Sequence, residues 1–158
     1  MKKRGAIEFG NKHYHYMVMM HLLFFIFFSG EKIFMNLELS PLWGFLFIIF
    51  LSAQLFRIWV ITSLGRFWNT KIIVLRDANV IRKGPYRFIK HPNYFVVAVE
   101  LAVVPLMFNA YLTASLFTIL NIIMMMIRIP EEEKALRELT EYAGEFKDCN
   151  RFLPKVVK

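Results

Sequence analysis

Residues 42–64 read LWGFLFIIFLSAQLFRIWVITSL, an apolar run whose only ionisable member is Arg57. At 1.5 Å per residue a helix of this length crosses a hydrocarbon core about 30 Å thick, which makes the bilayer the expected solvent. Tyr111 to Ile129 forms a second run of spanning length, while Tyr14 to Phe28 and Tyr94 to Phe108 are apolar but shorter. The whole chain agrees: of 158 residues 57% are hydrophobic and 17 are Phe, with a mean hydropathy of +0.44, outside the composition of a soluble domain. Only Asn109-Ala110 separates the third run from the fourth, which implies a tight helical hairpin. The expected fold is all-α, a polytopic transmembrane helical bundle, and four buried helices of a soluble protein are the weaker alternative.

Charge orients the bundle. Lys2, Lys3, Arg4 and Lys12 precede the first run, and the link between the second and third carries Arg66, Lys71, Arg76, Arg82, Lys83, Arg87 and Lys90 against Asp77. Such a bias places both regions, and with them both termini, on the cytoplasmic side. The net charge of +8 is spread between apolar runs and forms no stripe with interleaved aromatics, so no nucleic-acid partner is expected. Cys149 stands alone, and no CxxC, HExxH or paired His/Cys spacing supplies a metal site. Met1 to Arg4 is like the start of a signal peptide, yet the apolar stretch begins too far downstream and no cleavage site follows; nothing is read as removed. The chain divides into residues 1–64, the N-terminal transmembrane helices, and residues 65–158.

After Ile129 the composition changes. From Glu131 to Phe146, Ala135, Leu136, Leu139, Tyr142, Ala143 and Phe146 recur at three- and four-residue spacing, which predicts an amphipathic helix on the cytoplasmic surface or folded back on the bundle. Pro154 is expected to end regular structure. Within the preceding sequence Arg128-Ile129-Pro130-Glu131-Glu132-Glu133, Glu132 falls in the middle of the apolar face. Arg128 lies one turn earlier on nearly the same azimuth if Pro130 only kinks the helix. These two either satisfy each other as an ion pair or hold the polar groups of a cofactor. Glu131 and Glu133 read as first-turn acids favoured by the dipole, Glu133 also able to pair with Arg137.

The second constellation is GPYRFIKHPNY, residues 84–94. Gly84-Pro85 marks a turn, and Pro92 sets His91 at the N-cap of the following helix. That helix start is either a simple cap or an anion site, where free N–H groups with His91, Lys90 and Arg87 would receive a carboxylate.

Together the two constellations carry a resemblance. Gly84, Pro85, Tyr86, His91, Pro92 and Tyr94, then Arg128, Glu132, Glu133 and Leu136 beyond a hairpin, and finally Arg151 and Pro154, resemble the isoprenylcysteine carboxyl methyltransferases and their bacterial relatives. The resemblance covers roughly residues 65 to 158. It implies a membrane O-methyltransferase that uses S-adenosylmethionine, with Tyr86, His91, Tyr94, Arg128 and Glu132 around the cofactor and no assigned acid or base. A lipophilic small-molecule acceptor follows from the same likeness. Lys90 replaces the usual arginine, keeping charge without the bidentate fork, and Val96-Val97 replaces a customary glycine. Residues 4–10 and 100–105 resemble a bacterial subgroup that methylates long-chain alkylpyrones or related phenols, whose members carry a further apolar helix upstream. On that likeness the chain is an N-terminally shortened relative.

Some features stand apart. No glycine-rich loop follows a strand and strands do not alternate with helices, so a Rossmann-type methyltransferase is excluded. Glu100, about 12 Å into its helix from Pro92 at 1.5 Å per residue, and Arg57 are intramembrane ionisable groups expected to pair or to line a substrate tunnel. A small transporter subunit using Glu100 is the rival reading, and a nonenzymatic lipid-binding protein the third. His13, His15, His21 and the Met124–Met126 run are given no chemistry.

Overall fold

The computed structural model describes residues 5–147 and 149–152, apart from the side chain of Lys12. Lys2, Lys3, Arg4 and Pro154 lie outside the described residues. Four helices make up the body: α1 (Asn11–Phe34), α2 (Trp43–Leu64), α3 (Pro92–Leu106) and α4 (Tyr111–Leu139). Around them are strands β1 (Ile7–Phe9) and β2 (Ile72–Val74) and the one-turn α5 (Tyr142–Glu145). The all-α bundle expected from the sequence is the fold observed.

Three helices are long and apolar enough to cross a membrane, α1 among them at 24 residues. The apolar run of α1 is shorter than the helix because Ser29-Gly30-Glu31-Lys32 stays helical. A reason lies at its far end, where Glu31 accepts hydrogen bonds from the N–H groups of Leu112 at 3.0 Å and Thr113 at 2.7 Å. These are orphan donors of the first turn of α4, so one carboxylate caps a neighbouring helix and meets its positive dipole end. Asn109 reverses the chain between α3 and α4 at φ 56°. Helix α3 has 15 residues, about 22 Å at 1.5 Å per residue, and is the short inner member of the hairpin.

Helix α1 packs on α4, α4 on α3, and α3 on α2, whereas α1 and α2 make no contact of similar extent. The helices therefore form an open arc. Its outer surface is apolar, with Phe25, Ile26, Phe45, Leu55 and Met126 all exposed, as a lipid-facing belt requires.

Two local expectations are corrected. The residues expected as a separate amphipathic helix, 131–146, are instead the last turns of α4 followed, after Thr140, by α5. Pro130 removes one backbone hydrogen bond, but Arg128, Ile129 and Glu133 around it are buried, and that packing holds the helix through the proline. The second correction is the small antiparallel sheet, which pairs Ile7 with Val74, Glu8 with Ile73 and Phe9 with Ile72. Strands of three residues are too short to show alternation in sequence. Ile72 and Val74 bury against Ala135, with Phe9, Leu136 and Leu139 beside them.

A further strand-like seam joins the C-terminal segment to the link. Lys90 N–H donates to the Asn150 carbonyl at 3.0 Å and His91 N–H to that of Arg151 at 3.1 Å. Residues 7–9, the basic link and residues 149–152 thus gather at one end of the bundle.

Gly84 is required there. Its φ is +54°, and a Cβ at this position would collide with Ser63 and come within 2.9 Å of Trp59 Nε1. Gly84→Ala should lower stability by about 1–3 kcal/mol through backbone strain and overpacking. Gly44→Ala, with nothing within 4 Å of the added carbon, should be neutral or stabilising. Thermal unfolding in detergent measures both.

Candidate active site

A cavity of about 690 Å³ opens at this end and runs toward the middle of the bundle. Tyr86, His91, Tyr94, Arg128 and Glu132 all line it, as does Lys90; Arg87, Glu131 and Glu133 do not. The two sequence constellations, separated by the hairpin, therefore face one space.

Pro92 opens α3 and fixes the chain before it, which leaves His91 at the N-cap position. Its ring makes no cap bond; Nε2 lies 3.2 Å from Glu133 Oε1, and Nδ1 is 4.0 Å from Glu132 Oε2. Nearly one turn on, Tyr94 donates its hydroxyl proton to Glu132 Oε2 at 2.8 Å. Arg128 does not pair with Glu132. Its Nη2 donates to the Thr70 carbonyl at 2.9 Å, Nη1 lies 2.7 Å from Met17 Sδ, and Nε is buried without a hydrogen-bond partner among the described residues. Of the two roles open to Arg128 and Glu132, mutual neutralisation is not the one adopted. Tyr86 packs with Val60, Tyr142 and Phe146, and burial, reinforced by the Glu132 charge, pushes its phenol pKa up.

Glu133 overturns its reading as a first-turn acid. The carboxylate is buried and is held by Arg151 through Nε at 2.9 Å and Nη2 at 3.0 Å, by His91, and by Arg137 at 3.3 Å. The Arg137 pair agrees with the i,i+4 spacing. Helical azimuth did not reveal the rest, because His91 and Arg151 reach α4 from segments distant in sequence. Glu133 lies on the turns of α4 beyond the apolar run. Burial alone would raise its pKa, but the hydrogen bonds and charges of His91 and Arg151 outweigh burial and hold it at about 2. Glu131 instead meets the start of α1, 3.1 Å from His13 Nε2.

Deeper in the bundle Glu100 and Arg57 form an ion pair, and Gln54 Nε2 donates to the other Glu100 oxygen at 2.5 Å. Arg57 lines the cavity and Glu100 does not. His21 Nδ1 lies 2.8 Å from the Met17 carbonyl, and Met124 and Met125 are cavity walls.

Comparison with known proteins decides the family, because the model of the isoprenylcysteine carboxyl methyltransferase family matches residues 46–138. The chain belongs to that family. A similar protein is the uncharacterized YpbQ of Bacillus subtilis, 46% identical over 138 residues that cover 87% of this chain and 82% of the relative. Another, an uncharacterized protein of Haemophilus influenzae, is 27% identical over 86% of this chain and 80% of its own length. Isoprenylcysteine carboxyl methyltransferase membership makes this chain a membrane methyltransferase by class.

Sequence reasoning missed two polar residues of the cavity wall, Tyr142 and Asn121, and the partner of Arg151. Tyr142, counted only as part of an apolar face, lines the cavity with its hydroxyl buried and without a hydrogen-bond partner among the described residues; burial, then the charges of Glu133 and Glu132, raise its pKa. Asn121 sits within an apolar run and its polarity alone could have marked it. Arg151 was visible as a motif residue without a partner.

The Glu133 cluster predicts acid sensitivity. Because its folded pKa is depressed from 4.5 to about 2, its contribution is complete above pH ~4.5 and is lost as pH falls from there toward ~2. Glu133→Gln should cost roughly 1–3 kcal/mol, less than the loss of a fully buried pair because Arg151 is half-exposed, and should flatten that part of the stability profile. Unfolding of wild type and variant across pH 2–7 checks this.

Proposed function

We propose that the cavity is the site of S-adenosylmethionine-dependent O-methylation of a lipophilic acceptor, with the cofactor at the end of the bundle where the link and both described chain ends meet. What supports the reading is the chemistry of the wall. Arg128 Nε and the Tyr142 hydroxyl are buried polar atoms without hydrogen-bond partners among the described residues, and such atoms carry a cost that a polar ligand would relieve. Glu132, with one oxygen on Tyr94, is a hydrogen-bond acceptor facing the same space. An acceptor and a donor beside Tyr86, Tyr142 and Phe146 fit a molecule with an aromatic base, hydroxyls and an amino-acid end.

On this reading Glu132 and Arg128 hold the cofactor's polar groups, His91 fixes the α3 entry through Glu133, and the aromatic rings flank the base. When bound, S-adenosylmethionine supplies a methyl carbon on a sulfonium, open to in-line displacement by an oxygen nucleophile. The protein's share is alignment and exclusion of water. A carboxyl or pyrone hydroxyl is already ionised near neutral pH, so no dedicated base is assigned. Residues 65–158 provide the cofactor end, and helices of residues 1–64 supply much of the deep wall. Val97, Ile61 and Phe25 line that deep part, which suits an alkyl chain that stays in the lipid. Subgroup resemblance favours an alkylpyrone or alkyl-phenol hydroxyl, and the wider family an isoprenylcysteine carboxylate. The basic bias of the link favours the cytoplasmic face for this end, and the resemblance to a bacterial subgroup favours a bacterial plasma membrane. A transporter role for Glu100 loses support, since both its oxygens are engaged by Arg57 and Gln54.

Purified protein should bind S-adenosylmethionine saturably, and Glu132→Gln should weaken binding at least tenfold. Glu131→Gln should leave binding nearly unchanged, because Glu131 is not in the cavity wall. Transfer of labelled methyl to alkylpyrones and prenylcysteines of several chain lengths identifies the acceptor. Burial of each methylene contributes about 0.8 kcal/mol, so apparent affinity should rise with chain length. Equal methylation of short water-soluble analogues would contradict entry from the lipid.

A further inference from the structure

The ion pair inside the membrane is asymmetric. Glu100 is saturated, one oxygen taken by Arg57 and the other by Gln54. Arg57 is not: Nε is buried without a partner among the described residues. The carboxylate also lies behind the guanidinium, for Arg57 lines the cavity whereas Glu100 and Gln54 do not. The deep chamber therefore meets the cationic member of the pair, with donor capacity to spare.

A second group points the same way from a different helix. Asn121 of α4 is 5% exposed and lines the same cavity, a polar side chain inside an otherwise apolar stretch of the helix. Arg57 lies seven residues before the end of α2 and Asn121 seven before Arg128, so each is about 10 Å deeper than the polar end. A buried donor without a partner among the described residues, as Arg57 Nε is, is costly at such depth in an apolar span, and so is a polar amide such as that of Asn121. A pair that served only to clasp α2 to α3 would need neither a wall position for Arg57 nor a polar Asn121 in the wall of the same cavity.

We infer that Arg57, held by Glu100 and Gln54, forms with Asn121 a subsite for an ionised oxygen acid, a carboxylate or enolate, on a long-chain ligand entering from the bilayer. The inference deepens the methyltransferase reading and rests on it for the ligand's role as acceptor. A guanidinium prefers such an oxyanion over its neutral ester or ether because a charge-assisted hydrogen bond is about twice as strong as a neutral one. Discrimination would then fall on the acidity of the headgroup, while the apolar wall tolerates different chains. Arg57 and Asn121 are thus assigned to binding and selection of the acceptor.

The test measures binding to purified protein in detergent, using radiolabelled myristate against methyl myristate, and a long-chain alkyl-hydroxypyrone against its methyl ether. S-adenosylmethionine binding is measured on the same samples. Wild type should prefer at least one acid over its neutral partner by tenfold or more, and which pair shows it separates a carboxylate from an enolate. Arg57→Lys should keep part of the preference as a point charge. The double variant Arg57→Met with Glu100→Met, which strands no buried charge, should lose it while still binding S-adenosylmethionine. Asn121→Leu leaves the ion pair intact and should reduce the preference severalfold, so the inference stays exposed even if the double variant does not fold. No preference in wild type, or full preference in the double variant or in Asn121→Leu, would overturn the subsite. An intact preference in a wild-type chain that binds no S-adenosylmethionine would overturn the acceptor role and the cofactor assignment together.

Discussion

One buried carboxylate organises the polar end of this membrane protein. Glu133 on α4 cannot stay charged out of water without partners, and those it has come from the residue before α3, the C-terminal segment and its own helix. Satisfying it draws three parts of the chain together. His91 is pulled away from capping α3, Arg151 brings its strand alongside Lys90 and His91, and α4 continues through Pro130 so that Glu133 reaches them. Glu132, next in sequence, is thereby turned toward Tyr94 and the cavity.

The open arc of helices supplies the other half of the design. Because α3 is short and α1 and α2 do not close on each other, the cavity keeps walls from all four helices. Its ends differ in chemistry. Toward the link it offers Glu132, Arg128, Lys90 and two buried tyrosines, and toward the bilayer centre it is apolar apart from Arg57, Asn121 and His21. The proposed polar cofactor and lipid-dissolved acceptor have opposed solvation needs, which a single gradient of polarity would meet together. The Glu31 cap at the far end of α4 fixes the hairpin on which that gradient is built.

Much of this was legible in residues 42–64 and in the two motif stretches. Apolar run length gave the bundle, two residues between runs gave the hairpin, and the helical azimuth of Glu132 separated it from Glu131, which meets α1 instead. The failures share a cause. Glu133 looked like its neighbours because azimuth reports one helix at a time, and its partners His91 and Arg151 lie 42 and 18 residues away. The β1–β2 sheet is three residues per strand and leaves no periodic trace. Tyr142 and Asn121 were absorbed into apolar patterns whose local reading carries no information about a cavity behind them.

The central claim is that the Arg128–Glu132 end of the cavity takes S-adenosylmethionine, and an experimental structure determined with S-adenosylhomocysteine addresses it most directly. The account predicts ligand density against Arg128, Glu132 and Tyr142, with the Glu133–Arg151–His91 cluster intact beneath it. Density elsewhere, or a cavity end that excludes the ligand with Arg128 and Glu132 paired to each other, would contradict it.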